Sequence, residues 1–341
     1  MITISELSKK RFYIFYQQKR AFISLCGLSF ALIISLFGDF LCNHRPLFAY
    51  YNGQAYFPVL VSYPETTFGG FFETETHYKE PEIYDAMNQS PNFVVWPIVR
   101  YGPTDIDLNL DHPAPSPPDL SHPLGTDDRA RDVLARLIFG FRLSVIFGLF
   151  LAISSSFLGV FAGAIQGYFG GRVDMLGQRL TEVWSSLPEL FILIIMTSLF
   201  EASLGMMLCI MTLMGWMGLS AYVRAEFLRA REFEYVQAAS VLGASRFRVM
   251  MKHILPNALT PVITFFPFRI SGGISSLAAL DFLGLGAPPP TPSLGELLAQ
   301  GKSNLDSWWI MLSTFIVMVL TITMFNFIGE GIQKALDPKG S

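Results

Sequence analysis

The side chains that could carry catalysis are scattered along the chain without a catalytic pattern. No HExxH or GxSxG motif is present, so the sequence lacks the spacing of a zinc hydrolase or of a serine nucleophile. No CxxC pair predicts a disulfide framework or a cysteine metal site. The histidines are His44, His77, His112, His122 and His253, and the cysteines are Cys26, Cys42 and Cys209. These observations predict that the chain is not an enzyme.

Two short segments resemble ligand-binding loops but lack a required glycine. Residues 301–303 read Gly-Lys-Ser, like the end of a phosphate-binding loop, yet Glu296 stands where the preceding glycine should be. Acidic and amide side chains alternate with apolar ones over 105–111, but Leu110 occupies the glycine position of a calcium loop. We therefore predict that the chain holds neither nucleotide nor metal, and that 105–111 forms an amphipathic strand.

The most informative polar segment is 224–257. Small apolar residues recur there at spacings of three and four, as on one face of a helix, at Tyr235, Ala238, Ala239 and Leu242. Gly243 predicts the end of this helix, and a second helix is expected between Ser245 and Pro256. A short helix with a flat apolar face is suited to the groove of a partner protein. The alternative is a plain amphipathic loop helix.

Composition indicates which elements must position this segment. Charged residues make up 15% of the 341, well below the roughly 25% of soluble domains. The mean hydropathy is +0.42 and the formal net charge is −3, which argues against a nucleic-acid-binding protein. The sequence therefore predicts an all-α polytopic membrane protein.

Six windows are long and apolar enough to cross a bilayer, which takes about 20 residues. They are 21–41, 143–171, 183–200, 202–223, 255–285 and 307–329. Two are interrupted: the third by Pro188 and Glu189, and the fifth by three prolines, Arg269 and Asp281. We predict six spans, with 143–330 as a core that contains spans two to six.

The distribution of basic residues predicts the orientation. With six spans and the N-terminus in the cytoplasm, 15 of the 24 Lys and Arg residues fall on the cytoplasmic side and 8 outside. Residues 1–20 and 331–341 are then cytoplasmic tails, and 224–257 is a cytoplasmic loop.

The loop between the first two spans is the main extramembranous part. Residues 42–123 are rich in aromatics, Gly and Pro and predict a mixed domain of short strands followed by a Pro-rich linker. Residues 124–142 predict an amphipathic helix in the membrane interface, with Thr126 as N-cap and Asp127 paired with Arg131. The alternative is a helix that packs on the external domain.

Three ionisable residues in the interrupted spans are candidates for a translocation path: Glu189, Arg269 and Asp281. Each also has a structural interpretation. Glu189 would begin a helix after Pro188, and Arg269 would be held by carbonyls freed near Pro267 or by a partner chain.

At 237–256 the chain resembles the membrane permeases of ABC importers. Their cytoplasmic signature is Glu-Ala-Ala, three residues, Gly, nine residues, then Ile-x-Leu-Pro. Ala238, Ala239, Gly243, Leu255 and Pro256 match at the family spacing. Gln237 replaces the Glu and His253 replaces the Ile.

The peptide branch of that family is indicated by further stretches. His-Ile-Leu-Pro-Asn at 253–257 is similar to the dipeptide and oligopeptide permeases, as are 123–140, 167–174 and 292–296. The external region is similar to the Yej group of peptide importers, a resemblance that implies microcin C among the substrates.

The resemblance implies a type I importer permease in the bacterial inner membrane. Expected partners are a second homologous permease, cytoplasmic ATPases that bind ATP and Mg, a periplasmic peptide-binding protein, the peptide substrate and membrane lipid. Tyr235, Gln237, Ala238, Ala239, Leu242, Gly243 and Pro256 would couple the chain to the ATPase. Without the resemblance, a secondary transporter or channel and a membrane hydrolase remain as alternatives.

Overall fold

The computed structural model describes residues 6–337, which divide into two compact units. The first comprises 6–29, 144–288 and 319–337, and the second comprises 30–143 and 289–318. Parts of the two predicted tails, 1–5 and 338–341, lie outside the described residues. The described part of the N-terminal tail is helical in α1 (Glu6–Gln17).

The external region begins after α2 (Lys19–Leu36) and α3 (Gly38–Leu41). Strands β1 (Phe48–Tyr51), β2 (Gln54–Tyr56) and β3 (Phe93–Val95) form an antiparallel sheet in the order β2-β1-β3. Ala49 of β1 pairs with Tyr56 on one side and Val94 on the other. A 3₁₀ turn (Glu65–Phe68) and α4 (Pro81–Asn88) complete a small core around the fully buried Phe68. The predicted mixed domain is thus present.

Two predictions for the rest of this loop are wrong. Residues 105–111 form no strand, and their apolar members Ile106 and Leu108 point outward while Asp105 and Asp107 are half-buried. The helix expected at 124–142 begins only at Val133, after a series of turns. Its first half is therefore absent, because Asp127, Arg131 and Asp132 are buried in tertiary contacts rather than exposed on a helix.

Five further helices follow the external region. These are α5 (Val133–Phe169), α6 (Gly171–Ser185), α7 (Glu189–Leu199), α8 (Leu204–Gly215) and α9 (Met217–Ala230). The third predicted span, 183–200, coincides with α7 and only the end of α6. These two helices form a bent pair with an angle of 67° at the break before Glu189. The proline at that break ends the ladder of backbone hydrogen bonds.

Short helices and two long ones complete the chain. They are α10 (Glu234–Val241), α11 (Arg246–Arg248), a π-helical turn (Val249–Ile254), α12 (Leu255–Ala258), α13 (Thr260–Phe282), α14 (Leu294–Ser303) and α15 (Trp308–Leu336). Among the described residues, five helical segments are long and apolar enough to span a membrane, or six when the bent pair is one span. The prediction of an all-α polytopic fold is confirmed.

Glycines explain how α5 and α9 approach each other in the first unit. Gly159, Gly163 and Gly167 recur every four residues and so lie on one face of α5. A Cβ atom on Gly163 would lie 2.5 Å from the carbonyl oxygen of Ser220 on α9. Stripes of small residues allow membrane helices to pack backbone to backbone. This contact holds α9, from which the polar segment 224–257 continues.

Candidate functional site

The segment 224–257, named the coupling segment below, is anchored to its unit by a few buried apolar side chains. Val236 of α10 is buried together with Val249 and Ile254, and all three belong to one apolar cluster. Phe227 on α9 lies in the same cluster. These contacts hold α10 in place while leaving the rest of its surface open.

Gly243 ends α10 as its sequence position predicts. Its φ of +86° is left-handed, a conformation that glycine adopts without a Cβ penalty. The Gly243 N–H donates to the Ser240 carbonyl and the Ala244 N–H to that of Ala239, the two bonds of a Schellman motif. Ser245 then caps the following helix by accepting from the Arg248 N–H at 3.4 Å. The helix–glycine–helix pattern is therefore built from local interactions.

The predicted apolar face of α10 is mostly open to solvent. Tyr235, Ala238 and Leu242 are exposed, and Leu242 retains 87% of its accessible surface. Ala239 is half-buried. Further exposed apolar side chains enlarge the surface beyond the four predicted residues: Phe233, Val241, Phe247 and Met251. An apolar surface of this kind is typical of a protein interaction site.

Two other predicted coupling residues, Gln237 and Pro256, are exposed and have local structural roles. The Gln237 amide donates to the Glu232 carbonyl at 3.3 Å. Pro256 lies in the first turn of α12, where its missing N–H costs no helical hydrogen bond. The adjacent Asn257 donates to the Tyr235 hydroxyl at 3.1 Å.

Arg269 is held by two neighbouring helices. Its Nη2 donates to Ser155 Oγ on α5 at 2.5 Å and to the Gly215 carbonyl at the end of α8 at 2.9 Å. Its Nε is buried without a hydrogen-bond partner among the described residues. The carbonyl that receives this guanidinium therefore lies at the break between α8 and α9, and not near Pro267, one of the two alternatives that the sequence leaves open.

The structure does not bring the other two path candidates to Arg269. Glu189 is the first residue of α7 and is exposed in this chain. Asp281 is buried at the end of α13, where its Oδ1 accepts from the Ala287 N–H at 2.7 Å. Asp281 thus braces the turn that follows its helix.

A buried group of charges was not predicted as a site. We name Asp127, Arg131, Arg136 and Glu296 the charge cluster. Arg131 donates to Asp127 at 2.8 Å and to Glu296 at 3.1 Å. Arg136 donates to Glu296 and, at 2.8 Å, to the Pro103 carbonyl. The cluster joins 123–140 to 292–296, and the signal that could have found it is that both stretches match the same family.

Asp132 begins α5 and connects this part of the chain to a buried histidine. Its Oδ1 accepts from the Ala135 N–H at 2.7 Å, which makes Asp132 the N-cap in place of the predicted Thr126. Its Oδ2 lies 2.9 Å from His122 Nδ1, and Asp107 lies 3.2 Å from His122 Nε2. Burial alone would lower the pKa of His122, but these carboxylates outweigh burial and raise it.

In the first unit, Asp174 of α6 forms a bidentate pair with Arg224 of α9. This pair ties the start of the coupling segment to the helix that precedes the bend. Among residues 6–337, no group of three or more His, Cys, Asp or Glu side chains is arranged to hold a metal ion.

Comparison with known proteins extends these observations to the whole chain. Residues 155–340 match the family described as binding-protein-dependent transport system inner membrane component. The permease protein YejE of the peptidoglycan transport system of Agrobacterium fabrum is 43% identical, over 98% of this chain and 94% of its own length. The inner membrane ABC transporter permease protein YejE of Escherichia coli is 41% identical over 99% of both chains.

A more distant relative matches a smaller part. The oligopeptide transport system permease protein OppC of Haemophilus influenzae is 37% identical, over 69% of this chain and 76% of its own length. The family match at 155–340 includes the coupling segment, and the two YejE matches span nearly the whole chain. The chain is therefore a multi-pass inner membrane protein that belongs to the family of binding-protein-dependent transport system inner membrane components.

Proposed function

We propose that this chain is the permease subunit of an ATP-driven peptide importer, in which it forms half of the translocation path. The observation that carries the proposal is the coupling segment, an anchored helix with an exposed apolar face at the family's signature position. The relatives named for oligopeptide and peptidoglycan transport support the substrate class. Family membership supports this function over a secondary transporter or channel.

The proposed partners follow from the division of work in such a system. A cytoplasmic ATPase binds ATP and Mg and receives α10 in a groove, so this chain itself performs no catalysis. A second homologous permease completes the path, and a periplasmic binding protein delivers the peptide. Both termini of the chain lie in the cytoplasm, which places the coupling segment on the side of the ATPase.

Ala238→Asp tests the coupling role directly. Ala238 is exposed, whereas Ala239 is half-buried, so a change at 238 alters the docking face with the least effect on the fold. A carboxylate in an apolar groove loses its hydration without a partner. Peptide-stimulated ATP hydrolysis of the reconstituted complex should fall at least about tenfold, because a docking interaction weakened by about 1.4 kcal/mol already corresponds to a factor of ten.

Ser240→Asp is the matched control for that change. It adds the same charge to the same helix. Position 240 is two residues beyond position 238, however, and therefore lies about 200° around the helix axis from it. Stimulation should persist in this variant. Equal loss in both variants, or no loss in either, would remove the Ala238 face from the mechanism.

Arg269 allows a test of the path. Its bonds to Ser155 and Gly215 favour a structural role, but a guanidinium could also hold a peptide carboxylate by a bidentate contact. In a path-lining role, Arg269→Gln reduces uptake of a free-carboxylate peptide more than of its amide, and Arg269→Lys retains part of the preference. Equal losses with lower membrane abundance identify a structural residue.

The role of Glu189 is tested with peptides that differ at their N-terminus. If its carboxylate attracts the free amine, Glu189→Gln should weaken uptake of peptides with free N-termini and spare N-blocked ones. Equal effects on both would reject this role and leave Glu189 as the first residue of a helix, where a carboxylate is favoured by the dipole.

A further inference from the structure

The external region contains a cavity whose walls are aromatic and cationic. Its volume is about 590 Å³, within the range of small-molecule sites. Its principal lining residues are Lys79, Tyr84, Trp96, Arg100, Tyr101 and Leu120. Lys79 Nζ lies 3.1 Å from the centre of the Tyr101 ring, and the Arg100 guanidinium lies 5.4 Å from that of Trp96. The two cations are thus held against aromatic faces at the cavity wall.

Neither cation is neutralised within the described part of the chain. No ion pair is formed by Lys79 or Arg100 among residues 6–337. Trp96 also lines the cavity, and its Nε1 is buried without an acceptor among those residues. Both cations therefore line the cavity without a directly paired carboxylate.

The carboxylates nearby are already engaged in other bonds. Asp105 accepts from the Gly102 N–H at 2.7 Å and lies 3.1 Å from His44. Asp107 accepts from the Tyr101 hydroxyl at 2.6 Å and also faces His122. Asp119 accepts from the His122 N–H at 2.6 Å. These bonds fix the Tyr101 wall of the cavity and leave the two cations unpaired.

The geometry points to a binding site for a carboxylate attached to an aromatic or aliphatic group, in which Arg100 and Lys79 hold the carboxylate and Trp96, Tyr84 and Tyr101 pack against the apolar part. An Arg fork suits a planar carboxylate, and aromatic walls suit an apolar side chain. The C-terminal residue of a peptide has this chemistry. The inference rests on the proposed transport of peptides for the identity of its ligand.

The state of Lys79 fits such a ligand. Partial withdrawal from water lowers the pKa of Lys79 to about 8, against the opposing effect of Asp105, Asp107 and Asp132. A bound carboxylate would favour the charged ammonium and raise that pKa again. Arg100 and the Tyr101 ring also face this amine. The affinity for a carboxylate should therefore decline as the pH rises through about 8.

Binding is measured on the full complex in nanodiscs, without ATP and without the binding protein, so that transport does not contribute. The probe is the radiolabelled tripeptide Ala-Ala-Phe, compared with its C-terminal amide. Arg100→Gln and Lys79→Gln should each weaken binding of the free acid about tenfold, with little effect on the amide. Arg100→Lys should restore part of the affinity. Arg45→Gln is the control, because Arg45 pairs with Glu75 and does not line the cavity.

Equal affinity for acid and amide in the unmodified complex would overturn the inference, as would unchanged binding in Arg100→Gln or an equal loss in Arg45→Gln. Docking of the periplasmic binding protein to the same nanodiscs is measured separately. If Arg100→Gln weakens only that docking, the occupant is an acidic side chain of the binding protein and the inference is also wrong. ATP-dependent peptide uptake by the unmodified complex is measured in parallel. Absence of uptake contradicts the proposed function, whereas uptake without cavity binding contradicts this inference alone.

Discussion

The coupling segment exposes the side chains that define it, whereas the charge cluster buries its own. In α10, Val236 is buried while Ala238 and Leu242 are exposed. In the charge cluster, Asp127 and Arg136 have no exposed surface. Both regions lie in stretches that resemble the same family, so resemblance alone does not distinguish a docking surface from an internal brace. Burial and hydrogen bonding make the distinction.

This difference separates two kinds of failure. A change on an exposed face alters what a partner meets, with little effect on the unfolding free energy. A change in a buried ion network leaves a charge without a counter-charge, and the chain itself becomes unstable. Substitutions in the two regions should therefore give different combinations of stability and ATPase stimulation.

The largest expected effect is that of Glu296→Gln. The cluster contains two cations and two anions, so this change leaves Arg131 and Arg136 to share Asp127. Loss of one partner from a buried ion pair destabilises by about 3–5 kcal/mol. We expect a loss of this size in denaturant unfolding of the purified chain, with reduced abundance in the membrane.

Arg129→Gln provides the control for the cluster. Arg129 is 52% exposed and lies 4.0 Å from Glu296, which is the geometry of a surface pair. Its removal should cost less than about 1 kcal/mol. If Glu296→Gln is no more damaging than Arg129→Gln, the buried network does not brace this part of the chain.

The next effect concerns His122 and pH. Because the folded state raises the pKa of His122, the imidazolium stabilises the fold fully below the ordinary value of about 6.5. This contribution is lost as the pH rises through the raised pKa. Hydrogen bonds to charged groups contribute about 1.5–3 kcal/mol, which sets the expected size.

The measurement is hydrogen exchange of 122–135 at several pH values in the unmodified chain and in His122→Gln. In the unmodified chain, exchange should accelerate with rising pH by more than the intrinsic exchange rate does. The His122→Gln variant should lack this additional pH dependence. His77→Gln, at an exposed histidine, should behave like the unmodified chain. A pH dependence that survives in His122→Gln would assign the effect to another group.

Local patterns were sufficient for the spans and for α10. Long uncharged windows require a helix in a membrane, and the recurrence of apolar residues at three and four with Gly243 at the end specifies the short helix. Both signals are contained within a few turns of chain. The stop at Gly243 therefore follows from the sequence alone, whereas the bounds Glu234–Val241 and the Schellman hydrogen bonds come from the structure.

The charge cluster and the start of α5 could not be predicted in the same way. Arg131 and Glu296 are 165 residues apart, and no local rule connects them. Thr126 and Asp132 both precede an apolar run and both can cap a helix. The choice of Asp132 depends on tertiary contacts that bury Asp132 together with Asp127 and Arg131. Arg269 likewise depends on tertiary contacts, because its acceptors lie on other helices.

The smallest expected effect is that of Gly243→Ala, which separates the shape of the coupling segment from its chemistry. A Cβ at Gly243 would meet no atom within 4 Å, so the change introduces backbone strain without a steric clash. A left-handed conformation costs an L-residue about 1–2 kcal/mol. The end of α10 should fray, and peptide-stimulated ATP hydrolysis should fall severalfold while global unfolding changes little.

Gly53→Ala is the matched control, because Gly53 has a φ of +81° and equally open surroundings but lies in the β1–β2 turn. It should carry similar strain and leave ATP hydrolysis unchanged. An equal reduction in both variants would show that strain anywhere in the chain impairs transport, and that the end of α10 has no particular part in coupling.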